Sequence, residues 1–190
     1  ASNMVEVFGR DGTSRGVLAQ PGIGAAAVSA EEDRTEAFLT FTSFNYPTSI
    51  FRVDLAAPAA PATLWAQPAV PVDPSSVVVE QVWYPSKDGT RISMFLIHPK
   101  DLRKTGDTPT IATGYGGFNI SETPAFVPTW FQWFAAGGMY AVPNLRGGGE
   151  YGDAWHEAGM REKKQNVFDD FHAGLEWLIA NGYTHPSRLA

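Results

Sequence analysis

Thr110-Ile111-Ala112-Thr113-Gly114-Tyr115-Gly116-Gly117-Phe118-Asn119 joins a short apolar run to a loop with three glycines. The run suits a buried strand, and the glycines let the next backbone segment approach another group with no Cβ in the way. Working outward, Pro128 to Ala136 reads as a short helix and Met139 to Leu145 as another strand. Val167, Phe171, Leu175 and Leu178 have the spacing of one helical face. Asn166 is expected to cap that helix with Asp169 as its third residue, Gly182 to close it, and Pro186 to forbid its continuation. A further strand is expected to start at Arg188-Leu189-Ala190. On the other side, Val77 to Tyr84 and Arg91 to His98 flank a turn in which Asp88-Gly89 supplies the positive φ of a hairpin. The class is α/β, and the alternation predicts a parallel sheet with helices on both faces.

Residues 1 to about 55 follow different rules. Met4 to Phe8, Gly16 to Ala19, Ala37 to Thr42 and Ser49 to Leu55 are short alternating segments broken by turn residues, which predicts antiparallel strands. Four such strands suit one blade of a β-propeller, although a small sandwich fragment has the same signature and no internal repeat decides between them. Residues 56 to 74 carry five of the fourteen prolines, so they predict a stiff connection with one short edge strand around Leu64-Trp65. The expected domains are 1–72 and 73–190.

Twenty acidic against fourteen basic side chains give a net charge of −6, with no basic stripe for neutralising phosphates, so nucleic acid is not an expected partner. There is no cysteine, hence no disulfide, thiolate nucleophile or cysteine zinc site. No apolar run reaches the length of a membrane span. The four histidines lack metal-ligand spacing beside a carboxylate set, so neither metal nor cofactor is expected and the histidines read as structural. Trp130, Phe131, Trp133 and Phe134 read as core, and Glu162-Lys163-Lys164 as a solvated face.

Three glycine motifs compete for function. Gly12-Thr13-Ser14-Arg15-Gly16 matches the Gly-x-Ser-x-Gly nucleophile pattern, but it lies among hairpins with no helix after it and reads as a turn. Gly147-Gly148-Gly149-Glu150-Tyr151-Gly152 satisfies the dinucleotide pattern, with Asp169 and Asp170 about twenty residues on. Against that reading, Glu150 would face the pyrophosphate, and both aspartates open a helix instead of ending a strand. The loop Gly114 to Phe118 lies where α/β-hydrolases supply part of the oxyanion hole, and Tyr115 adds a phenolic donor. The alternative there is a tight loop with a packed tyrosine.

Val82-Trp83-Tyr84-Pro85-Ser86-Lys87-Asp88-Gly89-Thr90, Gly114-Tyr115-Gly116-Gly117-Phe118-Asn119-Ile120, Asn144-Leu145-Arg146-Gly147-Gly148-Gly149-Glu150-Tyr151-Gly152 and Lys164-Gln165-Asn166-Val167-Phe168-Asp169-Asp170-Phe171 stand in that order. Together they closely resemble the prolyl oligopeptidase family, and Thr42 to Leu55 is similar to the last propeller blade of that family. The resemblance implies a serine peptidase that cleaves short peptides after proline, with a propeller limiting access to an α/β-hydrolase domain. It makes Tyr115 the side-chain donor of the oxyanion hole and Phe118 part of the substrate-binding wall. The family's Ser, Asp and His have no counterpart between Ala1 and Ala190.

The expectation is therefore the first part of an α/β-hydrolase sheet, preceded by a propeller-type antiparallel segment, in a cytoplasmic protein. Its partners would be proline-containing peptides and the remainder of its own catalytic domain and propeller. The isolated 190 residues are expected to be inactive and prone to aggregate through unpaired strand edges. The alternative is a catalytically inactive module that binds peptides or a protein.

Overall fold

The computed structural model describes residues 2–190. They divide into two compact units: Ser2–Pro74 with Thr123–Pro128, and Ser75–Glu122 with Thr129–Ala190.

The first unit is antiparallel throughout. β1 (Glu6–Phe8) and β2 (Ser14–Val17) form a separate two-stranded hairpin. β3 (Ala25–Ala30), β4 (Glu36–Ser43), β5 (Tyr46–Asp54) and β6 (Thr63–Ala66) form a four-stranded sheet in sequential order. Alternation decides which face is buried. Ala37, Leu39, Phe41 and Ser43 of β4, and Pro47, Ser49, Phe51 and Val53 of β5, are buried, while their neighbours are more exposed. Leu18 joins Leu39, Phe41, Phe51 and Val53 in one apolar cluster, each large side chain contributing roughly 1.5–3 kcal/mol on burial.

The four strands expected from sequence thus do not make one sheet. The first two pair only with each other, and Ala25–Ala30, which the sequence did not flag, takes a place in the larger sheet. Alanine-rich β3 carries no apolar-polar contrast for a period of two to register. Leu64-Trp65 does form an edge strand, with Trp65 edge-on to Phe38 at 5.5 Å. Ser14 begins β2 and donates to Glu6 Oε1 at 2.5 Å; no helix follows it.

The second unit contains β7 (Val77–Pro85), β8 (Arg91–Pro99), β9 (Thr110–Ala112) and β10 (Met139–Pro143), with helices α1 (Trp130–Ala135), α2 (Asp153–Glu157) and α3 (Gln165–Ala180). The sheet order is β7-β8-β10-β9. It is mixed, not parallel as expected: β8 runs antiparallel to both neighbours, and only β10 and β9 are parallel. The Asp88-Gly89 turn, with φ of 83° at Gly89, reverses β7 straight into β8. Beyond β9, Leu189 bridges Thr110 in parallel, and Ala190 N–H donates to Thr110 O at 3.0 Å.

β8 is buried from Ile92 to His98 because both its faces are covered. Ile92, Met94 and Leu96 pack with Leu178 of α3 and with Tyr183. α1 packs against β8 with Phe131 and Phe134 buried. A largely apolar strand covered by helices is the expected arrangement of an α/β layer, and the polar Ser93 and His98 are buried with it.

α3 has the expected length and closes at Gly182, where φ is 73°. Its start and its face differ from expectation. Lys164 is the N-cap residue, and Asn166 lies inside the helix, donating from Nδ2 to Ala158 O at 2.9 Å. The buried stripe is Val167, Asp170, Gly174 and Leu178, while Phe171 and Leu175 are only half-buried. A buried ion pair at Asp170 rotates the stripe away from the purely apolar spacing. Among the described residues no helix is long and apolar enough to cross a membrane.

Candidate functional site

Parallel strands β9 and β10 end side by side, so the loops after them, 113–121 and 144–152, meet at the carboxyl edge of the sheet. That edge is where open α/β sheets place their ligands.

The two loops are locked backbone to backbone. A Cβ on Gly147 would lie 2.6 Å from Gly116 O, and φ of 91° there excludes other residues at low cost. A Cβ on Gly149 would meet Asn119 O at 2.6 Å. Asn119 N–H donates to Gly147 O at 3.2 Å, Gly149 N–H to Ile120 O at 3.3 Å, and Gly147 N–H to Trp155 O at 3.0 Å. These glycines therefore serve the close approach of one loop to another. Their space is filled by protein backbone, and Glu150 Oε1 accepts from Glu122 N–H at 2.8 Å. The helix that follows Gly152 has five residues, so the dinucleotide pattern lacks the long helix that would face a pyrophosphate.

Arg146 anchors this arrangement from below. It is buried, and its Nη2 donates to Asp170 Oδ1 at 2.6 Å, its Nε to Asp170 Oδ2 at 2.9 Å, and its backbone N–H to Asp170 Oδ2 at 3.1 Å. Its Nη1 reaches Asp88 Oδ2 at 2.6 Å in the hairpin turn. Ser86 Oγ donates to Asp170 Oδ1 at 2.6 Å, and Tyr84 Oη to Asp170 O at 2.8 Å. Hairpin, loop and α3 thus share one charged knot. The hydrogen bond from Arg146 holds the Asp88 carboxyl down at about 2, and the bond to Asp170 pushes the Arg146 guanidinium up. Burial raises the Tyr84 phenol far above its ordinary range.

A second polar cluster fixes the rear of the 144–152 loop. Ser93 Oγ donates to Asn144 Oδ1 at 2.9 Å and accepts from Tyr151 Oη at 2.7 Å, while Asn144 Nδ2 donates to Glu122 O at 3.0 Å. Burial raises the Tyr151 phenol.

On this support stand the two residues singled out from sequence. Tyr115 is 48% exposed, and its phenol makes no hydrogen bond among the described residues. Phe118 is 83% exposed with φ of 53°, and Asn119 follows at 57°. The two rings lie 6.4 Å apart between centroids. A positive φ at a bulky residue costs of order 1–3 kcal/mol and persists only where the surroundings impose it. Here the surroundings are the clamped loop, and the outcome is an apolar ring held out in solvent.

Two residues that the sequence reading set aside belong to this site. Lys164 is exposed as expected, yet its Nζ donates to Gly116 O at 2.7 Å and ties the Tyr115 loop to the start of α3. His156 Nδ1 lies 2.7 Å from Gly147 O and 3.2 Å from the Asn119 N–H, so that nitrogen is engaged by both loops, and Nε2 has no hydrogen-bond partner among the described residues. The signal for Lys164 was its place directly before the helix; nothing in the sequence told which carbonyl it would reach.

Residues 124–190 match the model of the prolyl oligopeptidase family. The chain is 40% identical over 191 residues to the prolyl endopeptidase of Elizabethkingia meningoseptica, covering 100% of this chain and 27% of that protein. It is 38% identical to the prolyl endopeptidase of Dictyostelium discoideum, covering 99% of this chain and 25% of that one. Among solved structures, one from a mechanistic study of two prolyl endopeptidases superposes with a TM-score of 0.90 at 47% identity, over 100% of this chain and 28% of that one. Prolyl oligopeptidase B from Galerina marginata, bound to a 25mer macrocyclization substrate, superposes at 0.88 with 36% identity, over 99% and 26%. The chain spans about a quarter of the length of the relatives it matches. Sequence, fold and the order of the motifs agree: the chain belongs to the prolyl oligopeptidase family.

Proposed function

We propose that this chain is a section of a proline-specific serine endopeptidase, and that its contribution to catalysis is the Tyr115 oxyanion donor. The mixed sheet is then the start of an α/β-hydrolase sheet, and the four-stranded antiparallel sheet is a propeller blade. The observation that carries the proposal is Tyr115 itself: an exposed phenol with no hydrogen-bond partner among the described residues, on a loop at the carboxyl end of β9 whose backbone is clamped by Gly147 and Lys164.

Acyl transfer from an amide develops negative charge on the carbonyl oxygen as the serine adds. A donor already pointing where that charge appears stabilises the transition state without reorganisation, by roughly 2.7–4 kcal/mol for one such group. The free Tyr115 hydroxyl on a stiff loop has this character. The serine nucleophile, its histidine base and the orienting acid come from residues outside 1–190, in the usual roles of such a triad. Phe118, held out by its strained backbone, offers an apolar wall to the ring of a proline.

The relatives support the peptide substrate: structures of the Galerina enzyme hold 25mer and 35mer peptides. The test is to treat the full-length gene product with a fluorescent fluorophosphonate and to assay peptides with one internal proline. Labelling of the full-length band together with cleavage on the carboxyl side of proline is expected. Peptide binding with neither labelling nor cleavage would establish the inactive binding module instead.

A further inference from the structure

Beside the Tyr115 loop lies a cavity of about 500 Å³, lined by Gly117, Phe118, His156, Met160, Arg161 and Lys164 among others. Three independent features converge on it. First, its charged and titratable walls are Arg161, Lys164 and His156, and no carboxylate lines it among the described residues. Second, the Arg161 guanidinium has no ion pair or hydrogen bond among the described residues, in a chain with net charge −6. Third, among the described residues the non-glycine positions with positive φ are Phe118, Asn119 and Arg161, at 53°, 57° and 50°, and two of the three are cavity walls. Strain gathered around one cavity marks a place where the fold holds side chains against their local preference.

The chemistry of the walls selects an occupant. Lys164 spends one donor on Gly116 O and keeps two, while Arg161 keeps its whole planar fork. A fork beside an ammonium suits a carboxylate, which accepts two parallel N–H bonds. Phe118 and Met160 add an apolar surface, which suits a chain that carries the carboxylate and not a bare inorganic anion. Because His156 Nδ1 is engaged with Gly147 O, only Nε2 is left to face an occupant.

We propose that this cavity is a carboxylate subsite of the peptide-binding site: it takes a free carboxylate of the bound peptide between Arg161 and Lys164, with apolar parts of the peptide against Phe118 and Met160. The inference rests on the peptidase reading above. The carboxylate has two sources, a peptide's own C-terminus or an Asp or Glu side chain near the proline. The subsite therefore confers a preference among proline peptides and leaves the chemistry of cleavage to other groups.

Arg161→Gly is the decisive variant, because glycine removes the charge and relieves the positive φ, so misfolding is not its expected effect. Arg161→Gln removes the charge alone, and Arg161→Lys restores it. In the full-length gene product, matched peptides would be compared for equilibrium binding and for cleavage, with C-terminal acid against amide and Glu against Gln at each position flanking the proline. The expected result is tighter binding of one acidic member by about tenfold, the scale of one charge-assisted contact in a partly exposed site. That preference should shrink in high salt, vanish in Arg161→Gly and Arg161→Gln, and persist in Arg161→Lys. A preference confined to the C-terminal pair identifies the peptide terminus as the source, and one confined to a Glu position identifies the side chain. Equal binding of all acid and neutral pairs by the wild type, or a preference unchanged in Arg161→Gly, overturns the subsite. The peptidase reading fails separately, through absence of cleavage of the neutral proline peptides.

Discussion

Replacing Asp170 by Asn tests the knot that carries the site. Asp170 is fully buried and accepts from Arg146 through Nη2, Nε and the backbone N–H, and from Ser86 Oγ. An amide in its place removes the charge that balances the buried Arg146 guanidinium, and whichever oxygen becomes NH₂ then faces donors. Leaving one member of a buried pair uncompensated costs about 3–5 kcal/mol. Asp88 moderates the loss, but its side chain is 47% exposed and sits in high dielectric, so the lower half of the range is expected. The assay is calorimetric unfolding of the full-length protein. The double variant Arg146→Met with Asp170→Leu should lose less than the two single losses combined, by about 1–3 kcal/mol of coupling, because no unpaired charge remains. A single variant within about 0.5 kcal/mol of wild type, or strictly additive losses, would refute the reasoning.

Three further outcomes follow from the same contacts. Gly147→Ala should lose about 2–4 kcal/mol, from the left-handed backbone and from a methyl driven onto Gly116 O, and should lower kcat through the displaced Tyr115 loop; an unchanged kcat and Tm would contradict the interlock. Asp88 has a carboxyl held at about 2, so its bond to Arg146 adds stability above the unfolded value near 3.9, and that increment is lost as pH falls from about 4 to 2. The difference in Tm between wild type and Asp88→Asn should accordingly be present at pH 7 and close at pH 2; a difference that grows with acid would reverse the sign of the account. Phe118→Gly should keep or raise Tm because it relieves a positive φ, while it raises KM for proline peptides; a lower Tm with unchanged KM would make Phe118 a packing residue.

The hairpin at Asp88-Gly89, the end of α3 and the Tyr115 loop were all legible in the sequence, because each depends on local chemistry: a glycine φ, a helix stop, a run of glycines after a strand. What escaped depends on tertiary partners. The period of apolar residues in α3 pointed to Phe171 and Leu175, but Arg146 draws Asp170 inward, and the absence of a side chain at Gly174 admits the Tyr84 ring. Asn166 resembled a cap because its residue type favours one, yet the carbonyl of Ala158 claims its amide. β3 was missed because six small residues present two equivalent faces. Lys164 was read as solvated, which its exposure bears out, but its ammonium reaches a carbonyl 48 residues upstream that no local pattern could reveal.

The central claim is that Tyr115 stabilises an oxyanion in the full-length enzyme. Steady-state kinetics of Tyr115→Phe on a peptide with one internal proline test it most directly, since the substitution removes only the hydroxyl. The account predicts a fall in kcat of about 10²–10³ with KM little changed, as for loss of one donor used in the transition state. An unchanged kcat with a raised KM would contradict it and reduce Tyr115 to a ground-state contact.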